Sequence, residues 1–273
     1  MHIYTDLHCH WDDERYHSTL DQLVALGAER GIGYWISSAL DPMSVQFHKQ
    51  LHQTYQRILY SIGIHPFDTA KAQTLIPEME TMLQTATPVA IGECGLDFYD
   101  GQHNRSEQTF LFLRQCEWAE SFQIPLILHL RKSYYEFAQL LRRIPRLKSL
   151  TFIFHSFSGP IELIHEFLSY NTYFSFSAAF ISPRALQLQA KLRAIPMERL
   201  LLETDAPYIK PFRFEGEINY PHYLEHIYQK AAATREIALQ EMSSIIYKNF
   251  CRLFFKQSAA KLNQTLIKEP NTP

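Results

Sequence analysis

Eight short apolar segments recur along the chain, and stretches with helix-like spacing of apolar residues separate them. The segments lie at residues 3–7, 33–39, 58–64, 88–93, 125–129, 150–155, 172–177 and 199–205. Strands that alternate with helices favour right-handed βαβ units and a parallel sheet. Eight such units predict an α/β fold that closes into a single (β/α)8 TIM barrel.

The length of the chain agrees with one barrel, because α/β barrels of about 250 residues commonly form one domain. We expect the barrel domain to span residues 1–256 and a polar C-terminal tail to span 257–273. An open doubly wound sheet is the alternative, but no GxGxxG motif follows the first strand to support a dinucleotide site.

Charge, hydropathy and cysteine content restrict the classes of function. The formal net charge of −2 provides no global basic field for non-specific binding to duplex nucleic acid. No apolar run approaches 18 residues, so no membrane span is predicted. The four cysteines form no CxxC pair, and the N-terminus opens on a strand rather than on a signal-like segment. We therefore expect a cytoplasmic protein with reduced thiols.

Metal-ligand side chains stand where the predicted strands end. Two follow the first strand, and the others close the fourth, fifth, sixth and eighth strands: His8, His10, Glu93, His129, His155 and Asp205. A buried apolar strand that ends in a bare His, Glu or Asp needs a partner for that group. Because the C-terminal ends of barrel strands meet at one face, we expect these side chains to converge there.

The spacing of His8 and His10 favours a shared metal ion. Residues i and i+2 of an extended segment point to the same side, so the two imidazoles should converge while Cys9 points into the core. Imidazole is a borderline ligand that suits Zn, Mn, Fe or Co, and carboxylates suit these ions as well as Mg.

The other ligand-type residues predict a second ion. Glu93 has two oxygens, so it can bridge two ions roughly 3.5–4 Å apart. His129 and His155 would then bind the second ion. Asp205 would complete the first site and could accept a proton from an attacking water as the catalytic base. The sequence thus predicts two divalent ions per subunit, with Mg, Mn and Zn as the candidates.

Several nearby residues have two open interpretations. His65 could contact a substrate phosphate or be a turn histidine fixed by Pro66. Arg131 could hold an anionic group bidentately or be a surface arginine that opens a helix. Trp11 could stack on a base or pack in the core. Glu203 has the strand parity of Asp205, so it could support the site through hydrogen bonds.

Six segments resemble, in order and spacing, the TatD-related metal-dependent hydrolases, often called TatD-type DNases. They are TDLHCH (5–10), GIHPF (63–67), VAIGECGLDFY (89–99), LILHLRK (126–132), FHSFSG (154–159) and LLETDAPYIKP (201–211). The resemblance extends from Asp6 to the helix ending near Phe254. It implies a distorted TIM barrel of the amidohydrolase type and a two-metal centre on the six ligand-type residues, with Glu93 shared. It also implies phosphodiester hydrolysis, with exonuclease action on single-stranded DNA as the best-known activity.

Three positions depart from the family pattern: Phe67 stands where many members have His, Cys94 replaces a more common aliphatic residue, and Tyr220 takes the place of a frequent Arg. These positions concern substrate contacts rather than metal ligands.

Three hypotheses of function therefore stand side by side. The first is a metal-dependent deoxyribonuclease acting on single-stranded DNA or DNA ends. The second is a metal-dependent amidohydrolase or esterase acting on a small molecule, because similar constellations on barrels also hydrolyse amides and esters. The third is a metal-holding or nucleic-acid-binding protein without catalysis. The oligomeric state is not predicted.

Overall fold

The computed structural model describes residues 3–99, 104–214 and 216–255, which form one parallel eight-stranded sheet in the order β1 to β8. Its strands are β1 (Tyr4–Cys9), β2 (Ile32–Ala39), β3 (Ile58–Ile62), β4 (Ala90–Asp97), β5 (Leu126–Arg131), β6 (Thr151–Phe154), β7 (Asn171–Phe176) and β8 (Leu200–Leu202). This arrangement confirms the predicted TIM barrel. The tail predicted at 257–273 lies outside the described residues.

Helices follow the strands and surround the barrel. Within the described residues they are α1 (Leu20–Glu29), α2 (Pro42–Thr54), α3 (Ala72–Leu83), α4 (Arg105–Phe122), α5 (Tyr134–Arg143), α6 (Ile164–Leu168), α7 (Leu186–Ala194), α8 (Leu224–Arg235) and α9 (Leu239–Phe254). None of these described helices is both long and apolar enough to cross a bilayer.

Capping residues that can be recognised in the sequence stand at the N-termini of two helices. Asp41 caps α2 by accepting a hydrogen bond from the backbone N–H of Ser44 at 2.8 Å, and Pro42 occupies the first helical turn. Asn104 caps α4 in the same way through the N–H of Ser106 at 3.0 Å. Such caps satisfy backbone donors that a helix leaves unpaired at its start.

A small apolar cluster fills the interior of the barrel. Each strand contributes one buried side chain to it: Leu7, Ile36, Leu59, Ala90, Ile127, Ile153, Tyr173 and Leu201. Phe250 and Leu253 of α9 complete the cluster from the N-terminal end of the strands. Helix α9 is fixed there because the side-chain amide of Asn249 donates to the carbonyls of Met197 at 2.7 Å and Leu200 at 2.9 Å. One end of the barrel is thus closed, and the C-terminal end of the strands is the open one.

The first and last strands meet at a seam that few backbone bonds close. The N–H of Asp205 donates to the carbonyl of His8 at 2.9 Å. The buried carboxylate of Asp6 accepts from both the N–H of Thr204 at 2.8 Å and its hydroxyl at 2.6 Å. A side chain therefore supplies much of the pairing that joins β1 to the end of β8.

Most strand ends lie within two residues of the predicted ones, and the C-terminal ends of β4 and β8 differ most. β4 continues four residues beyond Glu93, because its pairing with β5 runs on to Asp97 and Arg131. β8 stops at Leu202 rather than at residue 205. The N–H of Thr204 is bonded to the Asp6 carboxylate instead of to the neighbouring strand, which ends the ladder early.

Candidate metal centre

An irregularity in β1 turns its histidines towards the interior of the barrel. Leu7 lies in the interior cluster, so strict alternation would point His8 outwards. The register with β2 shifts between Asp6 and Cys9, and such a shift re-aims side chains. As a result His8 faces the interior. Cys9 is fully buried in the larger hydrophobic core between the sheet and the helices, here called the outer core, as its sequence position predicted.

A similar irregularity in β4 turns Glu93 inwards. Ala90 lies in the interior cluster, but the register with β5 shifts between Ile91 and Cys94, so Cys94 joins the outer core. Gly92 permits this path with a φ of 149°, and a Cβ there would stand 2.5 Å from the carbonyl oxygen of Ile127. Only glycine fits a backbone that approaches its neighbour so closely at positive φ.

The remaining ligand-type residues reach the interior by ordinary alternation. His129 comes two residues after Ile127, and His155 comes two residues after Ile153. Asp205 lies beyond the end of β8 with a φ of 58°. Left-handed backbone is uncommon for an aspartate and concentrates at functional sites.

Four donors gather at the β1–β8 side of the open end. His8 Nε2 lies 3.1 Å from His10 Nε2 and 3.3 Å from Glu93 Oε2. Asp205 Oδ1 lies 3.8 Å from His8 Nε2 and 3.7 Å from His10 Nε2. The structure thus brings together the four residues predicted for the first ion.

The other oxygen of Glu93 faces a second group. Glu93 Oε1 lies 2.7 Å from His129 Nδ1, 3.6 Å from His155 Nε2 and 3.8 Å from His65 Nε2. His155 Nε2 is also 4.0 Å from Asp205 Oδ1, so this imidazole stands between the two groups. Glu93 therefore occupies the position expected of a shared carboxylate.

Charge is concentrated in this cluster. Burial opposes protonation of His155, but the carboxylates of Glu203, Asp205 and Glu93 outweigh it and raise the pKa to about 10. Burial likewise opposes protonation of His129, yet its bonds to Asp97 and Glu93 raise the pKa to about 9. Burial alone would raise the pKa of Glu93, but the histidines around it hold that pKa well below its usual value. The lowered pKa values of Glu93, Asp205 and Asp97 keep these carboxylates ionised, so they draw positive charge into the centre.

These residues fit divalent cations. Three sets of three donors have all their atoms within 4.8 Å of one another: His8, His155 and Asp205; His8, His10 and Glu93; and His65, Glu93 and His129. Imidazole nitrogen and carboxylate oxygen are the ligands that Zn and Mn accept readily. Buried ionised carboxylates need a cation or a metal to compensate them.

Carboxylates outside the cluster orient its histidines. Glu203 Oε1 lies 2.9 Å from His155 Nδ1 and accepts from the N–H of Ser156 at 2.6 Å. Asp97 Oδ2 lies 2.7 Å from His129 Nε2. A carboxylate behind a ligating histidine fixes its ring orientation and raises its basicity.

Asp97 is a site residue that the sequence prediction missed. The prediction ended the fourth strand at Glu93, which left Asp97 in a loop. The spacing of four residues carries the signal, since positions i and i+4 of a strand share a face.

His65 and Arg131 occupy different parts of the site. His65 touches the cluster, and burial, with the charge of His129, lowers its pKa to about 4, so its imidazole is neutral. Arg131 is the last residue of β5, is exposed, and holds its guanidinium carbon 3.5 Å from the ring centroid of Tyr99. Arg131 therefore lies at the rim rather than against the cluster.

Trp11 packs in the core. Its side chain is fully buried, and its ring lies 5.8 Å from those of Trp35 and Tyr16. This burial excludes the alternative in which Trp11 stacks on a base.

Comparison with known proteins agrees with this architecture. The family model described as TatD related DNase matches residues 5–255. The chain is 27% identical over 253 residues to the uncharacterized metal-dependent hydrolase YabD of Bacillus subtilis (strain 168), which covers 91% of this chain and 98% of the relative.

Solved structures show the same fold. YjjV, a TatD homologue from Escherichia coli K12, superimposes with a TM-score of 0.85 at 26% identity, covering 92% of this chain and 98% of that one. A TatD family hydrolase from Entamoeba histolytica superimposes with a TM-score of 0.83 at 19% identity, covering 92% of this chain and 98% of its own. The match of the family model to residues 5–255, together with these relatives, shows that this chain belongs to the TatD family of metal-dependent hydrolases.

Proposed function

We propose that the chain is a two-metal deoxyribonuclease that hydrolyses phosphodiester bonds at single-stranded DNA or DNA ends. The observation that carries the proposal is the division of Glu93 between two donor groups, with Oε2 towards His8 and Oε1 towards His129 and His155. Two-metal centres with a shared carboxylate suit in-line displacement at phosphorus. The name of the matching family model supports a nucleic acid substrate.

His8, His10, Glu93 and Asp205 would hold the first ion. Glu93, His129 and His155 would hold the second. Mg, Mn and Zn all fit this mixture of nitrogen and oxygen donors. When bound, the ions would lower the pKa of a water nucleophile and neutralise charge on the phosphoryl oxygens.

Asp205 would act as the general base. Burial raises the pKa of its carboxyl, but His155 and His10 outweigh burial and keep that pKa below its usual value. The carboxylate is therefore ionised and able to take a proton from the attacking water. Two backbone bonds hold its position, from its own N–H to the carbonyl of His8 at 2.9 Å and from the N–H of Tyr208 to its carbonyl at 2.7 Å.

His65 and Arg131 would bind the substrate. The neutral imidazole of His65 can donate a hydrogen bond to a phosphate oxygen without adding charge to the cluster. Among the described residues the guanidinium of Arg131 forms no hydrogen bond or ion pair and contacts only the ring of Tyr99, so it can hold a phosphate at the rim.

We also propose a cytoplasmic location and a barrel domain of residues 1–256 with a polar tail at 257–273. The four cysteines support the location, since each is a free thiol: Cys9, Cys94, Cys116 and Cys251.

The test is hydrolysis of end-labelled single-stranded oligonucleotides by protein loaded in turn with Mg, Mn or Zn. Asp205→Asn and Glu93→Gln should each lower kcat by about 100- to 10,000-fold, as loss of a general base or of a ligand does. Asp21→Asn is the matched control, because Asp21 is exposed on α1 and accepts a hydrogen bond from the Tyr55 hydroxyl at 2.6 Å, outside the cluster.

The proposal is wrong if the loaded protein leaves oligonucleotides intact but cleaves amides or carboxylic esters. That result would assign the same centre to the amidohydrolase or esterase class.

A further inference from the structure

One residue of the first donor group lies beyond the strand that leads to it. The group consists of the four residues proposed for the first ion: His8, His10, Glu93 and Asp205. β1 ends at Cys9, and the side chain of His10 is 12% exposed whereas that of His8 is fully buried. The N–H of His10 donates to the carbonyl of Ala206 at 2.8 Å, which fixes one side of the residue. A ligand has to be held within roughly 0.5 Å of its working position, so the backbone on the other side of His10 also needs a partner.

A serine on β2 is that partner. The N–H of Trp11, the residue after His10, donates to Ser37 Oγ at 2.9 Å. Consecutive residues of a strand point to opposite faces, so Ser37 faces α2 while Ser38 faces the interior of the barrel. Ser38 Oγ lies there 3.2 Å from His8 Nδ1. Two adjacent serines therefore contact the segment of His8 and His10 from opposite faces of the sheet.

A buried histidine on α2 orients the hydroxyl of Ser37. His48 is 1% exposed, and its Nε2 lies 2.6 Å from Ser37 Oγ while its Nδ1 lies 2.8 Å from the carbonyl oxygen of Ser44. A carbonyl can only accept, so Nδ1 carries the proton and Nε2 accepts from the hydroxyl of Ser37. Burial lowers the pKa of His48, which keeps the imidazole neutral and Nε2 able to accept. The oxygen of Ser37 is thereby left to accept the N–H of Trp11.

A second contact joins the same segment to the same helix. The carboxylate of Asp12 accepts a hydrogen bond from the hydroxyl of Ser44, which lies in the first turn of α2. The segment after His10 is therefore bonded to α2 at two successive residues, through Ser37 at Trp11 and directly at Asp12. Helix α2 thus acts as a support for the loop that carries His10.

We propose that Ser37 and His48 are positioning residues for His10, and that this pair of side chains sets the affinity of the first ion. This inference rests on the metal centre of the proposed function. Neither residue belongs to the three donor sets described above, so both act through the backbone that carries His10. Loss of the pair would let that backbone move, and the first ion would lose its most exposed ligand. The ion of the second donor group would stay bound.

The test measures both Zn dissociation constants by competition with a chromophoric chelator. The first step is identified as the one that His10→Ala weakens. Ser37→Ala should weaken that same step by about tenfold or more, as loss of a group that orients a ligand does, and leave the other step within about twofold. His48→Leu should weaken it as well, because Ser37 loses the acceptor of its hydroxyl. His48→Gln should restore much of the affinity, because its amide oxygen can accept where Nε2 did. The two His48 variants decide the matter if Ser37→Ala does not fold.

His52→Leu is the matched control. His52 is a half-buried histidine on α2, one turn further along the helix than His48, and its Nδ1 donates to the carbonyl of Ile58 at 2.8 Å. Both His→Leu variants should lose stability in urea, because each loses a hydrogen bond to a backbone carbonyl. Only His48→Leu should change the first metal-binding step, and this difference separates positioning from a general loss of stability.

A double-mutant cycle tests whether the effect passes through His10. In the His10→Ala background, Ser37→Ala should change the first step by less than about twofold, because the ligand that Ser37 positions is gone. The inference is overturned if the two losses add, or if Ser37→Ala and His48→Leu leave both dissociation constants at the wild-type values. In either case the metal centre stands. If the wild-type protein binds no ion, or if His10→Ala changes neither step, the proposed metal centre itself fails.

Discussion

The carboxylate of Asp97 should set the metal affinity of the second donor group. Its Oδ2 lies 2.7 Å from His129 Nε2, and the side chain is only 1% exposed. In Asp97→Asn the amide oxygen can still accept from His129, so the ring keeps its place but loses its negative partner. Gln108 holds the backbone of residue 97 through hydrogen bonds of 2.7 and 2.8 Å, so the end of β4 should not move.

The expected effect follows from the kind of bond that is lost. A hydrogen bond to a charged group contributes about 1.5–3 kcal/mol, and a neutral one about 0.5–1.5 kcal/mol. Mutation of a carboxylate that is hydrogen-bonded to a metal-binding histidine typically weakens metal affinity by about 10- to 100-fold. We therefore expect Asp97→Asn to weaken one of two binding steps by roughly 10- to 100-fold, or about 1.4–2.7 kcal/mol.

Competition with a chromophoric chelator, followed with Zn and with Mn, measures both dissociation constants. The step assigned to His8 and His10 should change little, and Asp21→Asn on α1 should change neither step. Thermal unfolding of the metal-free variants shows whether the fold is intact. Two dissociation constants within about twofold of the wild-type values would refute the orienting role of Asp97, because the loss is expected to be at least about tenfold.

Three further predictions concern the centre and its scaffold. In the metal-free protein at pH 7.5, His129 and His155 are protonated because their pKa values are about 9 and 10. Metal binding should therefore release about two protons, and the metal affinity should rise with pH. Calorimetry in buffers of different ionisation enthalpy tests this, and a binding enthalpy that does not depend on the buffer would contradict it. Gly95→Ala should destabilise the fold by about 2 kcal/mol or more, because φ is 141° and the new Cβ would collide with the carbonyl oxygen of His129; an unchanged urea midpoint would count against it. Asn249→Leu should cost about 2 kcal/mol or more, because the buried carbonyl of Leu200 and the half-buried carbonyl of Met197 lose their donor. Urea unfolding at unchanged m-value measures this loss, and a loss below about 0.5 kcal/mol would show that the contacts are dispensable.

The order of the elements could be predicted from the sequence because apolar runs and helical spacing are local properties. The ends of the strands were less predictable. β4 continues to Asp97 because its partner β5 offers pairing that far, and that partner is distant in sequence. The prediction therefore stopped one ligand-orienting residue too early.

The directions in which some side chains point could not be predicted from the sequence alone. His129 and His155 were predicted to converge because they end their strands, and the regular pairing of β5 with β6 leaves both side chains on the interior face. Alternation could not show that register shifts in β1 and β4 are needed to turn His8 and Glu93 inwards, because a shift is defined only relative to a neighbouring strand. The burial of Trp11 was likewise undecided until Trp35 and Tyr16 were seen to surround it.

The contacts between β1 and the end of β8 join parts of the chain that are synthesised at very different times. Asp6 and Thr204, which join its two sides, are 198 positions apart in the chain, and the proposed ligands His8 and Asp205 are separated by nearly the same number of residues. During synthesis the first histidines emerge long before their carboxylate partner exists, so no nascent fragment that ends before the last strand holds the complete first group. An ion held by all four proposed ligands of this group would therefore bind only after almost the whole barrel has been translated, and it would not direct the early steps of folding.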